Sequence, residues 1–156
     1  MKVAGHLEKV KRFDAVRGRL DPGEDFELWF WMTLSAGTNA LNAALHRVGA
    51  TDDGEYFCTQ AVDVYLGLDE ASGTWKPAIR FGCDIIHVGM PEIDKPLPPA
   101  LEGACRAMEV LEEVRDPCVR GDAAVTAEVI AACDAAYREC LALTGRVLGP
   151  AGWDLP

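Results

Sequence analysis

The chain has 156 residues, of which 49% are hydrophobic and 26% are charged, and its formal net charge is −10. This composition is typical of a soluble globular protein long enough to bury a core, and it excludes a disordered chain. The acidic body makes binding to nucleic acid or to an anionic membrane unfavourable. We expect one domain over residues 1–150 and a short tail over residues 151–156.

The first predicted helix covers residues 3–18, where apolar side chains recur every three to four residues. The start of the chain is charged and has no apolar stretch of the kind found in secretory signals, which predicts a cytoplasmic protein. The six cysteines are therefore expected to be reduced. Most of the basic side chains among residues 1–20 belong to this helix, and we expect it to lie against acidic groups of the same chain.

The second predicted helix, residues 25–48, is unusual because no charged side chain occurs over residues 28–46. That length would suit a membrane span, but its polar side chains are too many for a lone span in lipid. We therefore predict a helix enclosed by protein. The consecutive rings of Trp29, Phe30 and Trp31 diverge too widely to face a single core. Because monomers seldom expose such rings, the pattern predicts a homodimer.

One face of this second helix carries neutral polar side chains in place of the lysines and glutamates of a solvated face. Polar groups enclosed by protein must find hydrogen bonds. The row therefore either pairs with a neighbouring helix or lines a pocket for a small ligand or a protein partner, and both interpretations stand. The candidate binding residues, at helical spacing, are Ser35, Asn39, Asn42 and His46.

The rest of the chain reads as three further helices and one long loop. A helix is predicted over residues 54–67, and the Gly, Pro, Ser and Asp content of residues 69–97 indicates the loop. Helices over residues 98–115 and 122–148 follow, the latter with Asp122 as its N-cap, and the short turn between them predicts antiparallel neighbours. No segment shows a convincing alternation with a period of two. The predicted fold is therefore all-α, an up-and-down bundle of four to five helices.

A second candidate site lies within the loop. Asp84 and His87 are three residues apart, so in a helical turn their side chains would share a face and the carboxylate would orient the imidazole. A di-metal bundle needs Glu-x-x-His pairs on several helices, and the last two helices have none that match. The same two side chains could instead supply ligands to a single metal ion, an alternative that the sequence leaves open, but the prediction is of no bound metal and no cofactor.

Arg80 is followed after six residues by His87, and this spacing resembles the Arg–His motif of HEPN-type domains. The resemblance extends to chain length and helical character, and it implies a metal-independent endoribonuclease that is often dimeric. His87 would then act on the RNA 2′-hydroxyl or phosphate, and Arg80 would bind and stabilise the phosphate. Two functions are thus predicted side by side. One is a homodimeric bundle that binds a partner or small ligand, and the other is an RNA-cleaving enzyme with Arg80, Asp84 and His87 as catalytic residues.

Overall fold

Four α-helices and one small sheet make up the part of the chain that the computed structural model describes, which is residues 1–54, 57–59, 64–79, 84, 93 and 95–150. The helices are α1 (Val3–Arg17), α2 (Phe26–Arg47), α3 (Pro99–Val114) and α4 (Ala127–Leu148), and a π-helical turn (Arg115–Arg120) follows α3. The strands are β1 (Phe57–Cys58), β2 (Val64–Asp69) and β3 (Thr74–Ile79).

The helices α1 and α2 form an antiparallel pair. His6, near the start of α1, contacts His46 in the last turn of α2, and Arg17 at the end of α1 donates a hydrogen bond to Thr33. Most of α2 is buried, so the prediction of a helix enclosed by protein is confirmed. No helix in the described part of the chain is both long and apolar enough to cross a membrane.

The helices α3 and α4 pack against each other and against α2 to complete the hydrophobic core. Gly103 of α3 lies against Leu143 of α4, while Gly37 of α2 makes room for the Met108 side chain of α3. The largest side chains that are fully enclosed in this core include Phe30, Leu34, Leu41, Leu45, Leu101, Leu111 and Tyr137. The core is therefore built by helices, and its residues follow the helical apolar period that the sequence shows.

The prediction of a purely all-α fold is wrong, because a three-stranded antiparallel sheet in the order β1-β2-β3 follows α2. The strands β1 and β2 lie where a helix was predicted over residues 54–67, and β3 lies inside the predicted loop. Val64 pairs with Ile79, and the hairpin turn contains Gly73 at a φ of +64°. The fold is mostly helical, as expected, and the sheet is the correction.

The start of α4 is also corrected. The helix begins at Ala127 rather than near residue 122, and its N-cap is Thr126. The backbone of Thr126 is extended, and its hydroxyl accepts a hydrogen bond from the Val129 amide at 3.3 Å. Asp122 cannot cap the helix because the backbone that follows it is not helical. The helix ends before Gly149, as predicted.

The aromatic rings at the start of α2 are covered within a single chain. Trp29 is buried, and the Arg17 guanidinium lies 5.0 Å from its ring centroid. Trp31 is half-buried and packs against the core. The divergence of these rings therefore does not require a second chain to cover Trp29, and the homodimer stays a prediction.

Candidate metal centre

Three titratable side chains from distant parts of the sequence meet in the interior. His6 projects from α1, His46 from the last turn of α2, and Asp84 from the segment that follows β3. Their exposed fractions are 1%, 8% and 4%, respectively. The imidazole nitrogens and the carboxylate oxygen that could bind an ion all lie within 4.8 Å of one another. We call these three residues the His–His–Asp cluster.

In both histidines the Nε2 atom faces one carboxylate oxygen of Asp84. The Nε2 atom of His46 is 2.7 Å from Oδ1 of Asp84, and the Nε2 atom of His6 is 3.4 Å from it. The two ring centroids are 5.1 Å apart. Neighbouring donor atoms on an ion with bonds of about 2.0–2.1 Å lie roughly 2.9–3.4 Å apart. The two nitrogen–oxygen distances in the cluster are therefore close to those between ligand atoms of one ion.

The Nδ1 atom of each ring is held by an oxygen atom of α2 or of the turn after it. Oδ1 of Asn39 is 2.9 Å from Nδ1 of His6, and the Asn39 side-chain amine donates to the Ser35 carbonyl at 2.8 Å. That second bond fixes the orientation of the amide, so Nδ1 of His6 is the donor. The Thr51 hydroxyl lies 2.6 Å from Nδ1 of His46.

The chain brings Thr51 to His46 through a reversed turn at the end of α2. Gly49 adopts a φ of +67°, which favours glycine, and its amide donates to the His46 carbonyl at 3.0 Å. The Ala50 amide donates to the Leu45 carbonyl at 3.0 Å, which completes the Schellman pattern of a helix C-terminus. Thr51 is then placed beside the last turn of the helix that it has just left.

The carboxylate of Asp84 is ionised at neutral pH. Burial acts to raise the pKa of this carboxyl group, but hydrogen bonds from His46 and His6 outweigh burial and hold the pKa well below its usual range. The Met1 ammonium, 3.1 Å from Oδ1, adds a positive charge. The carboxylate is thus available as a charged ligand.

Two imidazoles and one carboxylate are a ligand set that suits divalent transition metals. Imidazole nitrogen binds Zn²⁺, Cu²⁺, Fe²⁺ and Ni²⁺, and carboxylate oxygen is compatible with most of them. Histidines that bind metals almost always donate their other ring N–H to an oxygen atom, which sets the ring orientation. His6 already meets that condition through Asn39, and His46 can meet it through the Thr51 hydroxyl, which is able to accept.

The four polar residues predicted to form a row on α2 have different contacts in the structure. His46 is a member of the cluster and Asn39 contacts its other histidine, while Ser35 supplies a backbone carbonyl to Asn39 and Asn42 is buried. Asn39 therefore pairs with His6 of α1, which is the kind of contact that the interhelical alternative describes. The binding role of the row stays a prediction.

Of the three predicted catalytic residues, only Asp84 lies in the described part of the chain. Its carboxylate faces His46 and His6. Arg80 and His87 lie outside the described residues, so the similarity to HEPN-type domains is untested and stays a prediction.

His6 is the residue that sequence reasoning missed. It lies on the apolar stripe of α1 between Val3 and Val10, at helical spacing from both, and this placement alone indicates a buried imidazole. What the spacing does not indicate is the partner, because Asp84 is 78 residues away along the chain.

Comparisons with protein-family models, with curated proteins and with solved structures found no match for this chain.

Proposed function

We propose that the protein binds one divalent transition-metal ion through Nε2 of His6, Nε2 of His46 and the carboxylate of Asp84. The observation that supports this function is the convergence of the two Nε2 atoms on one buried carboxylate oxygen, at 3.4 and 2.7 Å. Buried charged groups in proteins are paired or coordinate metals, and this cluster has the composition for coordination.

The hydrogen-bond roles of the two rings favour a cluster that holds a metal ion over one that is held together by hydrogen bonds alone. Nδ1 of His6 must donate to Asn39, so a further hydrogen bond from its Nε2 atom to Asp84 requires a doubly protonated, charged ring in the interior. A bound cation removes that requirement, because the lone pairs of both Nε2 atoms then face the ion. In that state the proton of a neutral His46 ring would lie on Nδ1, where the Thr51 hydroxyl can accept a hydrogen bond from it.

Three protein ligands leave at least one coordination position for water or another small ligand. The ion, when bound, would act as a Lewis acid and lower the pKa of a bound water molecule. The protein supplies the arrangement of donors and their enclosure, since each of the three side chains is more than nine-tenths buried.

The test is metal binding by the purified, chelator-treated protein, measured by isothermal titration calorimetry with Zn²⁺ and by visible absorption with Co²⁺. We expect one ion per chain. Asp84→Asn removes the charged ligand, and His46→Ala removes a nitrogen ligand, so each is expected to weaken binding by at least about 100-fold. The matched control is Asp53→Asn, which changes a half-buried carboxylate bonded to Lys2 and should leave the affinity unchanged.

Two outcomes would contradict the proposal. One is a wild-type chain that binds no ion at micromolar protein and metal concentrations. The other is an Asp84→Asn variant that binds Zn²⁺ as tightly as the Asp53→Asn control. In the first case the cluster is an ion pair between a carboxylate and its neighbours, a buried arrangement whose contribution to stability is small or negative.

A further inference from the structure

Asp84 contacts the helices with one end and the sheet with the other. Its carboxylate faces His6 and His46, while its backbone carbonyl accepts a hydrogen bond from the Tyr65 hydroxyl at 2.8 Å. Tyr65 has an exposed fraction of 3% and is the buried residue of β2. The residue that would bind the ion is therefore also a contact between the helical core and the hairpin of β2 and β3.

The outer strand of the hairpin is exposed to solvent. Every residue of β3 is exposed, and Leu68 and Trp75 form an exposed cross-strand pair. The described residues of β2 and β3 are not part of the hydrophobic cluster that the helices build. Small sheets need a packed hydrophobic face or a helix against them to be stable. The bond between the Tyr65 hydroxyl and the Asp84 carbonyl therefore attaches this hairpin to the helical core.

We propose that metal binding at the His–His–Asp cluster controls the docking of the β2–β3 hairpin onto the helical core. This inference rests on the proposed function. With the ion bound, Asp84 is fixed to His6 and His46, and its carbonyl is held where the Tyr65 hydroxyl reaches it. Without the ion, Asp84 keeps its hydrogen bonds to the histidines and its ion pair with the Met1 ammonium, which hold it less firmly than a metal bond, so the hairpin opens locally more often while the helices stay folded.

The coupling is reciprocal. If the ion favours the docked hairpin, then a docked hairpin must increase the affinity for the ion by the same factor. A variant that weakens docking without touching a ligand atom is therefore expected to bind the ion slightly less tightly. Tyr65→Phe is such a variant, because it removes the hydroxyl that reaches the Asp84 carbonyl and leaves all three ligand side chains in place.

Hydrogen exchange measured by mass spectrometry tests the proposal on the full chain, with and without saturating Zn²⁺. We expect Zn²⁺ to slow exchange of the β2 and β3 amides by about tenfold or more, with little change in α3 and α4. In Tyr65→Phe the slowing of the hairpin should be lost or much reduced, while calorimetry still shows one bound ion. The matched control, Tyr137→Phe, removes a buried hydroxyl from the helical core and should keep the Zn²⁺-dependent slowing of the hairpin.

Each outcome separates the two proposals. Zn²⁺ binding without slower exchange in the hairpin overturns the docking proposal and leaves the proposed function intact. Equal slowing in the hairpin and in α3 and α4 also overturns it, because the ion then stabilises the whole fold rather than one attachment. Absence of Zn²⁺ binding in calorimetry overturns both. A Tyr65→Phe variant that retains the full slowing shows that the hydroxyl contact does not carry the coupling.

Discussion

The Thr51 hydroxyl is the described neighbour of His46 that can act either as a donor or as an acceptor. A hydroxyl donates or accepts according to what faces it, so Thr51 can pair with Nδ1 of His46 whether or not that nitrogen carries a proton. Asn39 differs, because its amide is fixed by the bond to Ser35 and it presents only an oxygen to His6. Both partners thus orient a ring so that its Nε2 atom faces the cluster. Asn39 does so with a fixed amide, and Thr51 does so with a hydroxyl that can donate or accept.

Replacing Thr51 with valine should weaken metal binding without removing a ligand. The change keeps the size of the side chain and leaves Nδ1 of His46 without the hydroxyl, so the ring loses its orienting bond. Loss of such a supporting partner commonly costs about 10- to 100-fold in metal affinity, and we expect a Thr51→Val effect in that range, measured by calorimetry with Zn²⁺. The Co²⁺ spectrum should keep its form, because the ligand atoms are unchanged.

The control for this variant is Thr74→Val, which alters an exposed threonine in the hairpin, hydrogen-bonded to Ser72. It should bind Zn²⁺ as the wild type does. A Thr51→Val chain with the affinity of this control would show that the hydroxyl does not position His46.

For single residues, the sequence indicated that His46 and Asp84 were candidate site residues, but it did not predict that they contact each other. Asn39 and His46 were predicted to be enclosed because they replace charged residues on a helix face, and that argument is physical and local. The contact between His46 and Asp84 spans 38 residues, and helical periodicity carries no information about a partner at that separation. Asp84 was paired with its near neighbour His87 for the same reason, since only local spacing can be read from a sequence.

The helices and strands also differ in how well the sequence predicted them, because only local signals can be read from it. The helices α1, α2 and α3 begin and end within one or two residues of their predicted bounds, because the apolar period and the glycine after α2 are local signals. The region of β1 and β2 was misread because Val64 and Leu68 also fit a helical spacing. In β3 the side chains of Trp75, Pro77 and Ile79 do alternate, and the turn before Thr74 contains glycine, so a hairpin was readable there.

Three helices are joined by a polar contact at the side of the core away from the cluster. The Arg17 guanidinium of α1 lies between the rings of Trp29 in α2 and Tyr137 in α4, at 5.0 and 4.6 Å from their centroids. It also bonds to Asp134, and the Tyr137 hydroxyl donates to Asp14 at 2.8 Å. Cation–π contacts of this partly desolvated kind contribute roughly 1–2 kcal/mol each. The packing of α4 on α1 therefore depends on a neutral Tyr137.

Stability should fall in alkaline solution through the ionisation of Tyr137. Burial, together with the bond to Asp14, raises the pKa of this phenol far above its usual value. In the unfolded chain the phenol ionises near pH 10, so above that pH the unfolded state is favoured and the contribution present below it is lost. Between about pH 9 and about pH 11 the wild-type free energy of unfolding should fall by roughly 1 kcal/mol more than that of Tyr137→Phe.

Urea unfolding monitored by circular dichroism at several pH values measures this difference. The variant should be less stable than the wild type at pH 9, because it lacks the bond to Asp14, and its stability should depend less on pH above that point. All other titrating groups are common to both proteins and cancel in the comparison. Parallel pH profiles would show that Tyr137 is free to ionise in the folded state and that its bond to Asp14 is not maintained.

Across the whole molecule, charge and burial are arranged as the composition suggests. The basic side chains of the first twenty residues are paired in part with acidic groups elsewhere in the chain, as Lys2 is with Asp53 and Arg17 is with Asp134. The apolar core lies mainly among the helices, and Tyr65 is the buried residue among the described side chains of the sheet. Composition and periodicity were sufficient to predict a helical core, but the attachment of the sheet depends on contacts between distant residues that neither property encodes.

The cysteines provide a test of the packing of α3 and α4 against each other and against α2. Cys105, Cys118, Cys133 and Cys140 are free thiols, which agrees with the expectation of reduced cysteines. Burial raises the pKa of Cys133 to about 11 and that of Cys140 to about 12, whereas Cys118 is only half-buried in the π-helical turn. Because the thiolate is the reactive form, Cys133 and Cys140 are protected both by access and by protonation.

Labelling with N-ethylmaleimide at about pH 8, followed by peptide mass spectrometry, should therefore modify Cys118 at least roughly 100-fold faster than Cys133 or Cys140 in the native protein. Labelling of those two should require opening of the α3–α4 pair, so its rate should rise with urea as the free energy of unfolding falls. Complete labelling of all six cysteines in denaturant, without a reductant, is the control for reduced thiols. Native rates for Cys140 equal to that for Cys118 would contradict the packing of α4 against α2 and α3, since the Cys140 thiol faces the Gly37 carbonyl at 3.8 Å inside that core.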